Sequence, residues 1–329
     1  MVLLYHSIIV FPVNLHEIPW CSALHSFLWK IEMPLFFLVS GFCAFYSFEE
    51  KSAGKDRDRA GKPGWNYLDY IRKKSLRILV PHVVFGLLDI VPRSIPNPFV
   101  HKQASPKEAI RDFVLYGGSD WFLWVLFLLF LLFPLLAVCC RMGRTGEGIA
   151  AAASLILYFF SGCFPEIFLL SAAAKFQAFF VAGHLLRQEL YESGQSRLMQ
   201  RPFVPIVGSL LMGFTLTLQV AEEGTAGMLI FVAGGVLLFL WMAEKSSGSA
   251  GRFLMVCGVY SLQMYLLGGY TLVISRTLLV SVLGLTEPAA IIAGNFALNV
   301  LLTTGITHFI IRPVKLFRIL CGMQREKNF

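Results

Sequence analysis

The chain has 329 residues, of which 56% are hydrophobic and 15% charged, with a formal net charge of +8, and its mean hydropathy is +0.67. Soluble domains carry about 25% charged residues, so this balance excludes an ordinary soluble domain, and no nucleic-acid partner is expected. It predicts an all-α polytopic membrane protein, because runs such as "WFLWVLFLLFLLFPLL" (121–136) lack the polar alternation of a membrane β-barrel.

Apolar runs bounded by charge, Pro or Gly predict ten transmembrane helices, near 2–13, 33–48, 75–91, 121–140, 148–161, 166–186, 203–218, 226–242, 253–275 and 289–311. The first, inside "MVLLYHSIIV", carries His6. At 1.5 Å per residue it rises only about 18 Å against a hydrocarbon core of about 30 Å. A natural start upstream of Met1 is therefore expected, and no signal peptide is evident. His6 lies roughly 10 Å from the outer boundary on helical rise. It reads either as a polar group gluing neighbouring helices or as a general base in a dry site.

Glu32 precedes "MPLFFLVSGF" near Trp20, His25 and Trp29, either as a charge in an interfacial aromatic belt or as a functional carboxylate. Residues 49–74 form a cytoplasmic loop whose end, "YIRKKSLRILVP", runs into the third helix. Its basic group Arg72, Lys73, Lys74 and Arg77 reads as a positive-inside flank touching anionic membrane lipids or as a phosphate clamp for an anionic ligand. In "GGSDWFLWVLF" (117–127), Trp121 and Trp124 are interface anchors or a sugar-stacking platform. Other ionisable residues at membrane depth are Asp89, Lys175, His184, Arg276 and His308.

Lys and Arg number 21 in the segments that alternate with a cytoplasmic N-terminus and six in the opposite set. Both termini are accordingly expected in the cytoplasm. The seven cysteines are scattered in apolar runs and read as small core residues, so no disulfide frame and no metal site are expected. No P-loop, zinc helix, nucleophile elbow or pair of broken helices is recognisable, and residues 1–329 read as a single membrane domain.

The ordered set of His6, "MPLFFLVSGF" (33–42), "KKSLRILVPH" (73–82), "WFLWVLF" (121–127), "GVYSLQMYLL" (258–267) and "FIIRPVK" (309–315) resembles the acyltransferase 3 family of integral membrane O-acyltransferases. The resemblance implies about ten helices in a bacterial inner or plasma membrane. It implies transfer of an acyl group, usually acetyl from acetyl-CoA, to a hydroxyl of a cell-envelope carbohydrate or glycolipid. It makes His6 the family's first-helix histidine, with Glu32 as an orienting partner. Arg77 with Lys73 or Lys74 matches the family's basic element, to which Arg72 adds a charge for holding coenzyme A phosphates, and Trp121 matches the tryptophan that with Trp124 would shape the acceptor cleft. The chain departs from the family where an upstream Arg or Lys is expected, at Glu32 in place of a histidine, and at Gly268 in place of another. An exporter of an envelope intermediate and an inactive relative are the alternative readings.

Overall fold

The computed structural model describes residues 1–52, 67–94, 104–140, 142–187, 190 and 201–323. Among them every regular element is helical. In chain order the helices are α1 (Val2–Ser7), α2 (Pro19–Ser52), α3 (Tyr67–Ser94), α4 (Pro106–Tyr116), α5 (Trp121–Cys140), α6 (Arg144–Phe159) and α7 (Leu170–Arg187). They continue with α8 (Phe203–Thr217), α9 (Ala226–Lys245), α10 (Gly248–Val259), α11 (Ser261–Arg276), α12 (Pro288–Ile306) and α13 (Lys315–Leu320). Wide π-turns occupy Ser75–Leu79 inside α3, Thr277–Val282 after α11 and Thr307–Ile311 after α12.

Seven of the described helical stretches are long and apolar enough to cross a membrane: Pro19–Ala44, Tyr67–Ser94, Pro106–Phe133, Ile167–Arg187, Ala226–Lys245, Ser261–Val282 and Pro288–Ile311. α8 and α10 are apolar but shorter. Ten spans were the expectation from apolar runs, and the differences have local causes. The run 2–13 is helical only over six residues. Pro12 disfavours helical geometry in the residue before it, and Asn14 starts a new turn by accepting from the His16 backbone N–H at 3.2 Å. The run 253–275 is broken at Tyr260 into α10 and α11. Within the predicted loop 49–74, residues 49–52 end α2 and 67–74 begin α3, while 53–66 lie outside the described residues. α4 lies between two of the predicted spans, those near 75–91 and 121–140. Ser105 caps it in a reciprocal box with Glu108, Pro106 opens it, and Gly117 closes it in the left-handed conformation at φ 72°.

Packing divides the chain into two compact units, each drawn from several stretches. The first comprises Met1–Glu32, Leu76–Asp120 and Gly248–Phe329. In it Leu3 packs with Tyr260, Met264 and Val300, and Ile8 and Ile9 pack with Leu15, Cys21, Leu28, Ile291 and Ile292. α1 therefore runs against α12 in the opposite sense, with His6 between these two apolar clusters. A buried polar seam joins α11 to α12. Thr271 Oγ1 donates to Asn299 Oδ1 at 2.7 Å, and Asn299 Nδ2 donates to the Gly268 carbonyl at 3.1 Å. Such bonds add to helix association in lipid, where apolar burial between helices gains little.

The second unit comprises Met33–Ser75 and Trp121–Ser247. α2 and α7 meet here at backbone contact. A Cβ at Gly41 would strike the Phe180 carbonyl, and one at Gly183 would strike the Leu38 carbonyl. Phe37 stacks on Phe176 with ring centroids 4.5 Å apart beside this crossing. The "VSGF" portion of the most distinctive sequence stretch thus serves a close helix crossing.

Candidate active site

His6 lies in the last turn of α1, and its side chain is exposed, whereas the next three residues, Ser7, Ile8 and Ile9, are buried. Within α1, Leu3 and Ser7 face the core and His6 is exposed. Tyr5 meets the His6 ring edge-on at 4.9 Å. Tyr5 in turn stacks on His25 at 4.3 Å and lies 5.6 Å from Trp29. His25 and Trp29 are one helical turn apart on α2, which is why one aromatic ring from α1 reaches both. His16 adds a further ring, 4.1 Å from His25, and its Nε2 lies 3.3 Å from the Ile8 carbonyl. Three histidines, a tyrosine and a tryptophan thus line one face of the N-terminal segment.

Glu32 comes three residues after Trp29 on α2, on the same face. It is only 3% exposed, and neither carboxylate oxygen has a hydrogen-bond partner among the described residues. The structure therefore does not hydrogen-bond Glu32 to His6. Tyr5 and Tyr265 belong to the same compact unit as Glu32. A buried carboxyl left without donors is costly in its charged form.

On the other side of Tyr265 stands the "GGSD" turn. Gly117 and Gly118 both take positive φ, 72° and 61°, a conformation that costs glycine little. Two side chains hold Ser119 and Asp120 in place after these glycines. His82, 4% exposed, donates to the Asp120 backbone carbonyl and packs against Phe113 at 5.1 Å. The Tyr265 hydroxyl donates to the Ser119 carbonyl oxygen at 3.4 Å. Gly268, where a histidine was anticipated from the family pattern, leaves room that the Leu3 side chain takes, since an added Cβ would sit 2.7 Å from Leu3 Cδ2.

The basic group and the two tryptophans singled out from the sequence have the following surroundings. Arg72 and Lys73 are exposed on α3, with Lys73 paired to Asp69 at 2.7 Å. The Lys74 ammonium lies 3.7 Å from the centroid of the Phe130 ring and 5.6 Å from that of Tyr70. Arg77 is exposed in the π-turn. Arg72, Lys73, Lys74, Trp121 and Trp124 belong to the second unit, whereas His6, Glu32 and Arg77 belong to the first. Trp121 packs on Phe176 at 5.9 Å, and the Trp124 indole N–H donates to the Phe168 carbonyl at 3.0 Å. Removing that donor in Trp124→Phe is expected to cost about 1 kcal/mol, read as a lower thermal midpoint in detergent. Lys73→Ala, by contrast, breaks an exposed pair and should leave the midpoint unchanged within error, because such pairs are worth about 0–1 kcal/mol.

Tyr5, His16, His82 and Tyr265 were not anticipated as site residues. His25 and Trp29 carried the one available signal, their spacing of four on a helix beside a carboxylate. Comparison with curated proteins and with solved structures returned no match. A family model described as an acyltransferase domain matches residues 1–307, from before His6 to the end of α12, and the chain belongs to the acyltransferase 3 family.

Proposed function

We propose that this membrane acyltransferase moves an acetyl group from acetyl-CoA to a hydroxyl of a cell-envelope carbohydrate or glycolipid. The observation that carries the reading is the imidazole of His6, set between buried Leu3 and Ser7 on α1 beside Tyr5, which stacks on His25 and approaches Trp29, in a chain that matches the family along nearly its whole length. A hydroxyl attacks a thioester poorly until its proton is removed. In this reading one His6 ring nitrogen takes that proton as the hydroxyl oxygen bonds to the carbonyl carbon. Collapse of the tetrahedral intermediate breaks the carbon–sulfur bond, and the imidazolium returns the proton to the departing thiolate. The products are the ester and free coenzyme A. Tyr5 limits the ring's freedom by edge contact, which favours one orientation of the base.

Arg72, Lys73, Lys74 and Arg77 supply the positive charge for the phosphates of the donor, in keeping with the strength of charge-assisted bonds to phosphate. The bias of 21 basic residues against six supports placing them on the cytoplasmic side, where acetyl-CoA is made, with both termini on that side and the chain in a bacterial inner or plasma membrane. Trp121 and Trp124 border the acceptor path in this reading.

Membranes containing the chain, given acetyl-CoA labelled in the acetyl group, are expected to move label into envelope glycan, and membranes lacking it are not. Equal labelling in both sinks the proposal. The double substitution Arg72→Ala with Arg77→Ala should raise the KM for acetyl-CoA about tenfold or more, from the loss of hydrogen bonds between charged partners, with kcat changed far less. An unchanged KM would remove these arginines from donor binding.

A further inference from the structure

After α12 the chain makes a turn that touches other elements of the first unit. α13 stops in a Schellman motif: the Gly322 N–H donates to the Ile319 carbonyl at 3.1 Å and the Met323 N–H to the Arg318 carbonyl at 2.8 Å, with Gly322 at φ 67°. Gly322 is pressed against α3 and α11. A Cβ there would strike the Arg77 carbonyl oxygen, and it would stand 2.9 Å from Pro81 Cγ and 3.0 Å from Leu262 Cδ2. Glycine is thus required twice, for its positive φ and for this approach. Gln263, 3% exposed, donates from Nε2 to the Cys321 carbonyl at 2.8 Å, which satisfies one of the acceptors that the end of α13 leaves open. Met323 packs against the cluster of Leu3, Tyr260, Met264 and Val300.

The carbonyl that Gly322 meets belongs to the wide π-turn Ser75–Leu79. Such a turn interrupts the regular ladder of a helix, so what packs on its backbone helps to set its path. The Arg77 side chain is exposed, while its carbonyl lies against the Gly322 backbone. The bond from Gln263 fixes Cys321, and Cys321 in turn fixes where Gly322 stands. The two backbone bonds already complete the cap of the six-residue α13. The contact with Arg77 and the buried amide of Gln263 therefore do more than end a helix.

We infer that Gln263 and Gly322 are positioning residues for donor binding: together they hold the Arg77 backbone so that its guanidinium stands where the donor's phosphates bind. The inference rests on the reading of Arg77 as a donor contact. Both residues act through other groups, Gly322 through the Arg77 carbonyl and Gln263 through Cys321.

The test uses the full chain in detergent micelles, with coenzyme A as the probe for titration calorimetry and acetyl-CoA for transfer kinetics. Gly322→Ala should weaken coenzyme A binding about tenfold, the scale of a hydrogen bond to a charged group, and Gln263→Leu about threefold, the scale of a neutral one. The KM for acetyl-CoA should rise in step while kcat holds. In an Arg77→Ala background, itself weakened, neither substitution should weaken binding further, because residues that act through one group are not additive. Gly305→Ala, whose added Cβ has no neighbour within 4 Å, serves as the control and should bind as the native chain does. Weakening that persists in full in the Arg77→Ala background overturns the inference. Native affinity in both Gly322→Ala and Gln263→Leu, with Arg77→Ala weakened, also overturns it, and in both outcomes the donor reading of Arg77 stands. A lower thermal midpoint with unchanged affinity per folded molecule reduces the two contacts to packing. A native chain that does not bind coenzyme A, or an Arg77→Ala chain that binds it equally well, removes the donor reading and the inference with it. If Gly322→Ala does not accumulate, Gln263→Leu in the two backgrounds decides alone.

Discussion

Replacing His6 with alanine is expected to lower acetyl transfer by about a hundredfold to ten-thousandfold, the range that a positioned general base contributes. Protein level in the membrane should stay unchanged. Among the described residues the ring contact of His6 is an edge-on approach to Tyr5 at 4.9 Å, and such a contact is worth about 0.5–1.5 kcal/mol, small against the expected loss of transfer. This separates the catalytic reading from the bland one. A histidine that merely glued helices would be worth about 0.6 kcal/mol and would lower accumulation and activity together. The KM for acetyl-CoA should hold, because a group that acts as the hydroxyl attacks lowers kcat when it is lost and leaves donor binding alone. His6→Gln keeps a hydrogen-bonding side chain of similar reach without a base at neutral pH, and should be as inactive as His6→Ala. Full activity in His6→Gln would move the base elsewhere, and His25, stacked on Tyr5 at 4.3 Å, would be the next residue to replace.

Much of the helical plan could be read from apolar runs, since the long spans around α3, α9 and α12 are set by composition over twenty or so residues. The rest is decided by short-range chemistry or by contacts distant in sequence. α4 is only 11 residues long and amphipathic, so hydropathy passes over it, although Ser105, Pro106, Glu108 and Gly117 spell a capped helix. α1 is shorter than its apolar run because Val10 and Phe11 continue the run, while Pro12 and Asn14 redirect the backbone. In the site, His6 stands out because an ionisable group in an apolar run is expensive. Tyr5 does not, because a tyrosine there looks like any membrane residue until α2 brings His25 and Trp29 beside it. Tyr265 lies 146 residues from Ser119, whose carbonyl its hydroxyl reaches, and no local pattern marks the pair. Asp120 is visible in the "GGSD" stretch, but the adjacent tryptophans are the more conspicuous residues, and the structure uses their rings for packing and for the bond to Phe168.

Gly41→Leu is expected to cause a large loss of stability, enough to stop accumulation in the membrane or to lower the thermal midpoint sharply. Two effects compete at any helical glycine. Replacing it gains helix propensity, about 1 kcal/mol for alanine, and adds atoms that must find room. At Gly213 on α8 an added Cβ has no neighbour within 4 Å, so Gly213→Ala should be neutral or stabilising. At Gly41 the same Cβ would meet the Phe180 carbonyl, and Gly183 returns the contact against the Leu38 carbonyl. A backbone carbonyl in a helix cannot rotate aside as a side chain can, so α2 and α7 must separate. Overpacking a core commonly costs about 1–3 kcal/mol and sometimes more, and separation here also breaks the stack of Phe37 on Phe176. The clash therefore outweighs the propensity gain already at Gly41→Ala and does so by a wide margin at Gly41→Leu. The ordering to be measured is Gly213→Ala at or above the native midpoint, Gly41→Ala below it and Gly41→Leu lowest, and a Gly41→Leu protein as stable as the native chain would refute the close crossing of α2 and α7.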